Sequence, residues 1–144
     1  MPRERRDAPD APPAHRETLR VRYSDTDAQG IAHHSSYLLW LEEARLGWLR
    51  AIDLGYADLT AGGMFLSLVD CSCRYLSPAF GEDVVTIEVW VVEVSRLRVR
   101  LRYEIRRDDT LLATATTQNA FVDGDGRPRR LPADHPTWLK LREL

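Results

Sequence analysis

Between residues 98 and 106 apolar and polar side chains alternate without a break: Val99, Leu101, Tyr103 and Ile105 are interleaved with Arg98, Arg100, Arg102, Glu104 and Arg106. A period of two places each set on its own side of a pleated strand, so this stretch predicts an antiparallel sheet with one dry and one wet face. The same pattern predicts strands over residues 18–23, 64–76, 83–94, 96–107 and 110–122. Asp108 and Asp109 supply the turn between the last two, and Asp123-Gly-Asp-Gly closes the final one. One region has another period: Tyr37, Leu41, Ala44, Trp48 and Ile52 recur at helical spacing, which predicts a helix over residues 35–52 with Gly55 marking its end. Leu39, Trp40 and Leu46 widen its apolar face, so the helix is expected to be covered on most sides. One strand, a buried helix and then four strands in meander describe an α+β fold in which a bent sheet wraps a single helix.

The chain's 144 residues and 44% hydrophobic content fit one domain with one core. Residues 1–16, rich in proline and charge, are expected to be a disordered extension ahead of a domain over 17–144. A net charge of −2 gives no general attraction to nucleic acid. No apolar run is long enough to span a bilayer, and the N-terminus lacks a secretion signal, so a cytoplasmic protein with no integral membrane segment is expected. Cys71 and Cys73, two apart on a strand, point the same way and are poorly placed to bridge, so they are read as reduced thiols.

The densest chemistry lies ahead of the helix, where Asp25, Asp27, Gly30, His33 and His34 follow one another within ten residues. A glycine turn here delivers carboxylates next to the unpaired amides of a helix start, and such amides stabilise negative charge developing on a bound carbonyl. Taken alone, Asp25 and Asp27 also suit turn and cap positions. His33 and His34 are adjacent and have no third ligand spaced with them, so no metal is expected. Glu43 reads as a solvated helix residue, the strand arginines as a wet face, and Trp40 and Trp48 as core. His15 and His135 enter no pattern.

The run Tyr23-x-Asp25-Thr26-Asp27-x-x-Gly30-x-x-x-His34-x-x-Tyr37, followed by Glu42-x-Ala44-Arg45, resembles the hotdog-fold acyl-CoA thioesterases of the 4-hydroxybenzoyl-CoA thioesterase type, and more closely their branch of small bacterial acyl-CoA thioesterases. Tyr75-x-x-Pro78, Gly81-Glu82-Asp83, the strand pair after Ser95 and the tail from Gly126 to Pro132 add weaker support, so the resemblance covers roughly residues 18–139. It implies a hotdog fold whose long helix lies in an antiparallel sheet, paired side by side as a homodimer or homotetramer with active sites between subunits. It implies hydrolysis of an acyl-CoA, or of an acyl carrier protein thioester, without cofactor or metal. Asp27 matches the catalytic carboxylate, acting as nucleophile or general base. His34 matches a catalytic-site histidine whose neighbouring backbone N–H polarises the carbonyl. Gly30, His33, Tyr37, Glu42 and Arg96 fall at substrate-binding positions, with Arg96 toward the coenzyme phosphates and Ser95 and Leu97 standing where other basic residues would be. A non-catalytic acyl-CoA or lipid-binding module is the competing reading; hydration of an acyl thioester would need a second acid and histidine pairing that the chain does not show.

Overall fold

The computed structural model describes residues 11–144. A strand β1 (His15–Arg20) leads through a single 3-10 turn at Tyr23–Asp25 to helix α1 (His34–Ala51) and a short helix α2 (Tyr56–Leu59). Strands β2 (Phe65–Tyr75), β3 (Val84–Val94), β4 (Arg98–Arg107) and β5 (Thr110–Val122) follow, and helix α3 (Pro136–Leu141) ends the chain. The five strands form one antiparallel sheet in the order β1-β3-β4-β5-β2. This is the expected α+β hotdog arrangement of one sheet around one long helix.

Four details differ from the sequence expectations. Only β3, β4 and β5 form a meander; β2 crosses to the far edge and pairs with β5, because strand order follows from long-range pairing that periodicity does not encode. The first strand begins at His15 and ends at Arg20 instead of spanning 18–23. Ala14 donates to the Val89 carbonyl at 2.7 Å just ahead of β1, and His15 and Arg16 belong to the sheet; residues 1–10 of the expected extension lie outside the described residues. Helix α1 ends at Ala51, where Asp53 takes the left-handed backbone (φ 61°), while Gly55 caps α2. Finally, α1 is not covered on most sides, since Leu38 and the 53% exposed Leu39 lie open.

Three register shifts, at Val69 in β2, Val92 in β3 and Leu112 in β5, mark extra residues that increase local twist and let the sheet curl around the helix. Trp48, Leu41 and Leu49 of α1 pack into the concave face, against Ile87, Leu101, Tyr103, Ile105 and Phe121. Gly47 lets β1 cross close to the helix: a Cβ there would come within 2.7 Å of His15 Nε2 and 2.9 Å of Glu17 Oε2. The dry face of β4 is as expected, with Val99, Leu101, Tyr103 and Ile105 fully buried. On the wet face Glu104 is nonetheless buried, held by Arg106 Nη2 at 2.7 Å. Among the described residues no helix is long and apolar enough to cross a membrane.

Candidate active site at the start of the central helix

The turn between β1 and α1 is built almost wholly from backbone. Asp27 N donates to the Ile31 carbonyl (2.8 Å) and Gly30 N to the Asp27 carbonyl (3.0 Å), with Gly30 in the left-handed region at φ 75° that glycine adopts without penalty. Ala32 N donates to Ala79 O and Gly81 N to Gly30 O, which clamps the turn to the β2–β3 connection. The helix that follows is thereby aimed at a fixed place.

Within this turn the two aspartates part company. Asp25 is buried and accepts from Arg22 N (2.8 Å) and Arg22 Nη2 (3.1 Å), one on each oxygen. Burial pushes its carboxyl up, but the hydrogen bonds and charge of Arg22 outweigh that and hold it below the ordinary carboxylate range. Its own carbonyl accepts from His33 N (2.7 Å) and Ser36 Oγ (2.8 Å), tying the turn to the first turn of α1. Asp27 is exposed instead, and its Oδ1 accepts from the amides of Gln29 (2.8 Å) and Ile31 (3.3 Å). Those bonds orient the carboxylate and leave Oδ2 without a partner among the described residues.

His33 caps the helix: its Nδ1 accepts from Ser35 N (3.2 Å) and its carbonyl from Ser36 N (2.9 Å). The amide of His34 has no acceptor among the described residues, so it is the free donor of the helix start. The exposed His33 and His34 rings lie 4.0 Å apart, centroid to centroid. Behind them Tyr75 donates its hydroxyl to the His34 carbonyl (3.0 Å) and meets the buried Tyr37 ring edge-on at 4.9 Å. Burial, helped by its bond to Cys73, pushes the Tyr75 hydroxyl up to about 12, so it stays a donor at any physiological pH. Arg22, Ser36 and this role of Tyr75 were not apparent from periodicity; Tyr75 stood out in the resemblance only as part of a pattern.

The structure therefore brings Asp27, Gly30, His33, His34 and Tyr37 together around one turn. Glu42 lies two turns further along α1, 3.9 Å from Arg45, where it borders cavities of about 320 Å³ and 510 Å³ on either side of the helix. Arg96 does not join them. It sits in the β3–β4 turn, with Nε donating to the Leu131 carbonyl at 2.7 Å, at the opposite end of β3 and roughly 30 Å of strand away from the Asp27 turn. Cys71 and Cys73 are free, and burial pushes both thiols up, which makes them poor nucleophiles. Among the described residues no three His, Cys, Asp or Glu side chains converge as a metal site would require.

A carboxylate with one open oxygen in the turn that leads to an unpaired helix amide is suited to attack on an activated carbonyl. Proteins similar to this chain include named thioesterases. The acyl-CoA thioesterase YbgC of Haemophilus influenzae is 30% identical over 118 residues, covering 81% of this chain and 87% of that protein. The crystal structure of a DHNA-CoA thioesterase from Staphylococcus aureus superposes with a TM-score of 0.82 at 29% identity, over 90% of this chain and 88% of that one. That of the protein TT1821 from Thermus thermophilus does so with a TM-score of 0.79 at 31% identity, over 88% and 98%. A family model for the thioesterase-like superfamily matches residues 21–142, from the end of β1 through the turn, the helix and the other four strands to α3, and the chain belongs to that superfamily.

Proposed function

We propose that the protein hydrolyses acyl-CoA thioesters to a carboxylic acid and coenzyme A, with Asp27 as the attacking or proton-accepting group, in the manner of the 4-hydroxybenzoyl-CoA type and its small bacterial branch. One observation carries the reading: Asp25 commits both carboxylate oxygens to Arg22, whereas Asp27 keeps Oδ2 open in the turn that leads to the unpaired amide of His34. From Ile31, the pairing partner of Asp27, to His34 is three residues, a span of about 10 Å at most, which a thioester group lying between the two can bridge.

The chemistry needs little more. A thioester carbonyl is electrophilic and its sulfur leaves as a thiolate, so an ionised carboxylate and a fixed N–H dipole suffice. Acting as a base, Asp27 takes a proton from water; the water oxygen bonds to the carbonyl carbon, negative charge gathers on the carbonyl oxygen at the His34 amide, and the C–S bond breaks to release coenzyme A. Acting as a nucleophile, Oδ2 bonds to the carbon, the C–S bond breaks as coenzyme A leaves as its thiolate, and water then cleaves the resulting anhydride to the carboxylic acid and free Asp27. One such donor is worth about 3 kcal/mol in the transition state. His34 and His33 line the approach, Gly30 keeps the turn low enough for substrate to pass, and Tyr37 supports the helix start from beneath.

The site is open on the single chain, which supports side-by-side pairing of two copies as a homodimer or within a homotetramer. Phe65, Leu68 and Val69 are exposed on the unpaired edge strand β2, beside the open Leu38 and Leu39 of α1, and such an apolar edge is suited to burial against a second copy. In that assembly Glu42 faces the shared cleft and Arg96 approaches the coenzyme phosphates from the partner. The free thiols accord with a cytoplasmic location, and the thioester carrier is coenzyme A or an acyl carrier protein.

Purified protein incubated with short, medium and aromatic acyl-CoAs and a thiol-trapping dye is expected to release coenzyme A from at least one class. Absence of release from every class refutes the proposal, and sustained tight binding of acyl-CoA without turnover establishes the non-catalytic module in its place.

A further inference from the structure

The outward face of the sheet, turned away from α1, carries a hollow of about 280 Å³ lined by Ser72 and Arg74 of β2, Arg102 of β4 and Thr114 and Thr116 of β5. Strand pairing sets these side chains next to one another: Arg102 lies opposite Thr116, Thr116 opposite Ser72, and Thr114 opposite Arg74. The other arginines of β4 are neutralised in place. Arg98 and Arg100 pair with Glu93 at 3.7 Å and 3.5 Å, Arg106 with Glu88 at 3.1 Å and Glu104 at 2.7 Å, and Arg107 with Asp83 at 2.8 Å. Arg102 has no acidic partner and no hydrogen bond from its side chain among the described residues. Only its Nε is shut off from solvent, so the two terminal nitrogens remain open where the half-buried side chain borders the hollow. The hydroxyls of Ser72, Thr114 and Thr116 are also without a partner among the described residues, and Ser72 and Thr116 are exposed. Among the described residues no acid lines the hollow; Glu104, opposite Thr114, is held by Arg106, and the exposed Asp70 stands two residues from Ser72.

An uncompensated guanidinium ringed by free hydroxyls suits an oxyanion: the planar fork donates to two oxygens and the hydroxyls to a third. A carboxylate has only two oxygens to offer, whereas a terminal phosphate has three. We propose that this hollow binds a phosphate group, from free phosphate or from the 3′-phosphate of coenzyme A, with Arg102 as its main ligand and Ser72 and Thr116 as hydroxyl donors. Tyr75, next to Arg74 on β2, points to the other face and donates to the His34 carbonyl, so the hollow lies behind the strand end that borders the thioester site. A coenzyme A held there would round the edge of the sheet at β2. For that source the proposal rests on the thioester-hydrolase reading; for free phosphate it stands alone.

Calorimetry at low ionic strength with inorganic phosphate, acetate, coenzyme A and dephospho-coenzyme A, which lacks the 3′-phosphate, is run on wild type, Arg102→Gln and Thr116→Val. Phosphate is expected to bind with a Kd of about 1 mM or lower and acetate at least about tenfold more weakly. Arg102→Gln is expected to weaken phosphate about tenfold or more without lowering the melting temperature, since the side chain it replaces has no partner in the fold. If coenzyme A is the source, it binds about tenfold tighter than its dephospho form, and Arg102→Gln removes that difference. Equal binding of the two, beside phosphate binding that depends on Arg102, identifies free phosphate as the ligand. Absence of phosphate binding together with equal binding of the two coenzymes overturns the proposal; so does acetate binding as tightly as phosphate, or an affinity unchanged in Arg102→Gln. Should that variant fail to fold, Thr116→Val decides, with an expected weakening of about threefold. Thiol release is measured in parallel. Its absence with phosphate binding intact removes the hydrolase reading and leaves the phosphate site standing, whereas release with neither phosphate binding nor a difference between the coenzymes does the reverse.

Discussion

Replacing Asp25 with alanine should cost stability, in contrast to any change at Asp27. The Asp25 carboxylate accepts at 2.8 Å from Arg22 N and at 3.1 Å from Arg22 Nη2, and these contacts hold its ionised form. The Arg22 side chain is 67% exposed and regains water once released, so the ion pair itself contributes little. What remains is the bond from a partly buried backbone amide to a charged acceptor and a small void, together about 2–3 kcal/mol. For a chain of this size that lowers Tm by roughly 5–10 °C. The sign of the pH effect follows from the depressed carboxyl: its stabilisation is complete above the ordinary aspartate range and fades as pH falls through the lower folded value. Urea titrations of wild type and Asp25→Ala should therefore show a constant gap between about pH 5 and 8 that narrows below about pH 4. A gap under about 0.5 kcal/mol, or one that widens in acid, refutes the assignment of Asp25 as the brace of the turn.

Two further substitutions test other parts of the frame. His135 is buried; Nε2 faces the Ala61 carbonyl at 2.7 Å and so carries the proton, while Nδ1 accepts from Thr137 N at 3.2 Å as the cap of α3. His135→Ala removes a cap and strands a carbonyl, for an expected loss of about 2 kcal/mol in chemical denaturation with little change in thiol release per folded molecule. Gly30→Ala meets no atom within 4 Å, so its cost of about 1 kcal/mol is backbone strain alone; steady-state assays should show a lower kcat from the shifted Asp27 turn.

The extents of α1 and of β2 to β5 were legible almost to the residue, because their apolar positions recur at periods of 3.6 and 2 set by packing on one core. β1 was misjudged because it is an edge strand in which Leu19 is the sole aliphatic residue, and proline-rich sequence precedes it. Gly55 misled because Asp53 had already reversed the helix, a conformation aspartate adopts more readily than most residues. At the site, the run of residue types pointed to the turn between β1 and α1, but two carboxylates spaced two apart look alike on paper. Only the 3-10 turn at Tyr23–Asp25 and the arginine behind it decide which is buried. Arg96 illustrates the opposite limit, since its tie to Leu131 and its distance from the turn depend on how the whole sheet runs. His135 was silent because a lone histidine among prolines belongs to no period.

The account stands most directly on single-turnover thiol release by Asp27→Asn. Asparagine keeps an oxygen for the Gln29 and Ile31 amides and so preserves the turn, while removing the charge. The account predicts an unchanged melting temperature with the chemical step slowed by about a hundredfold or more; a variant that cleaves acyl-CoA at the wild-type rate contradicts it.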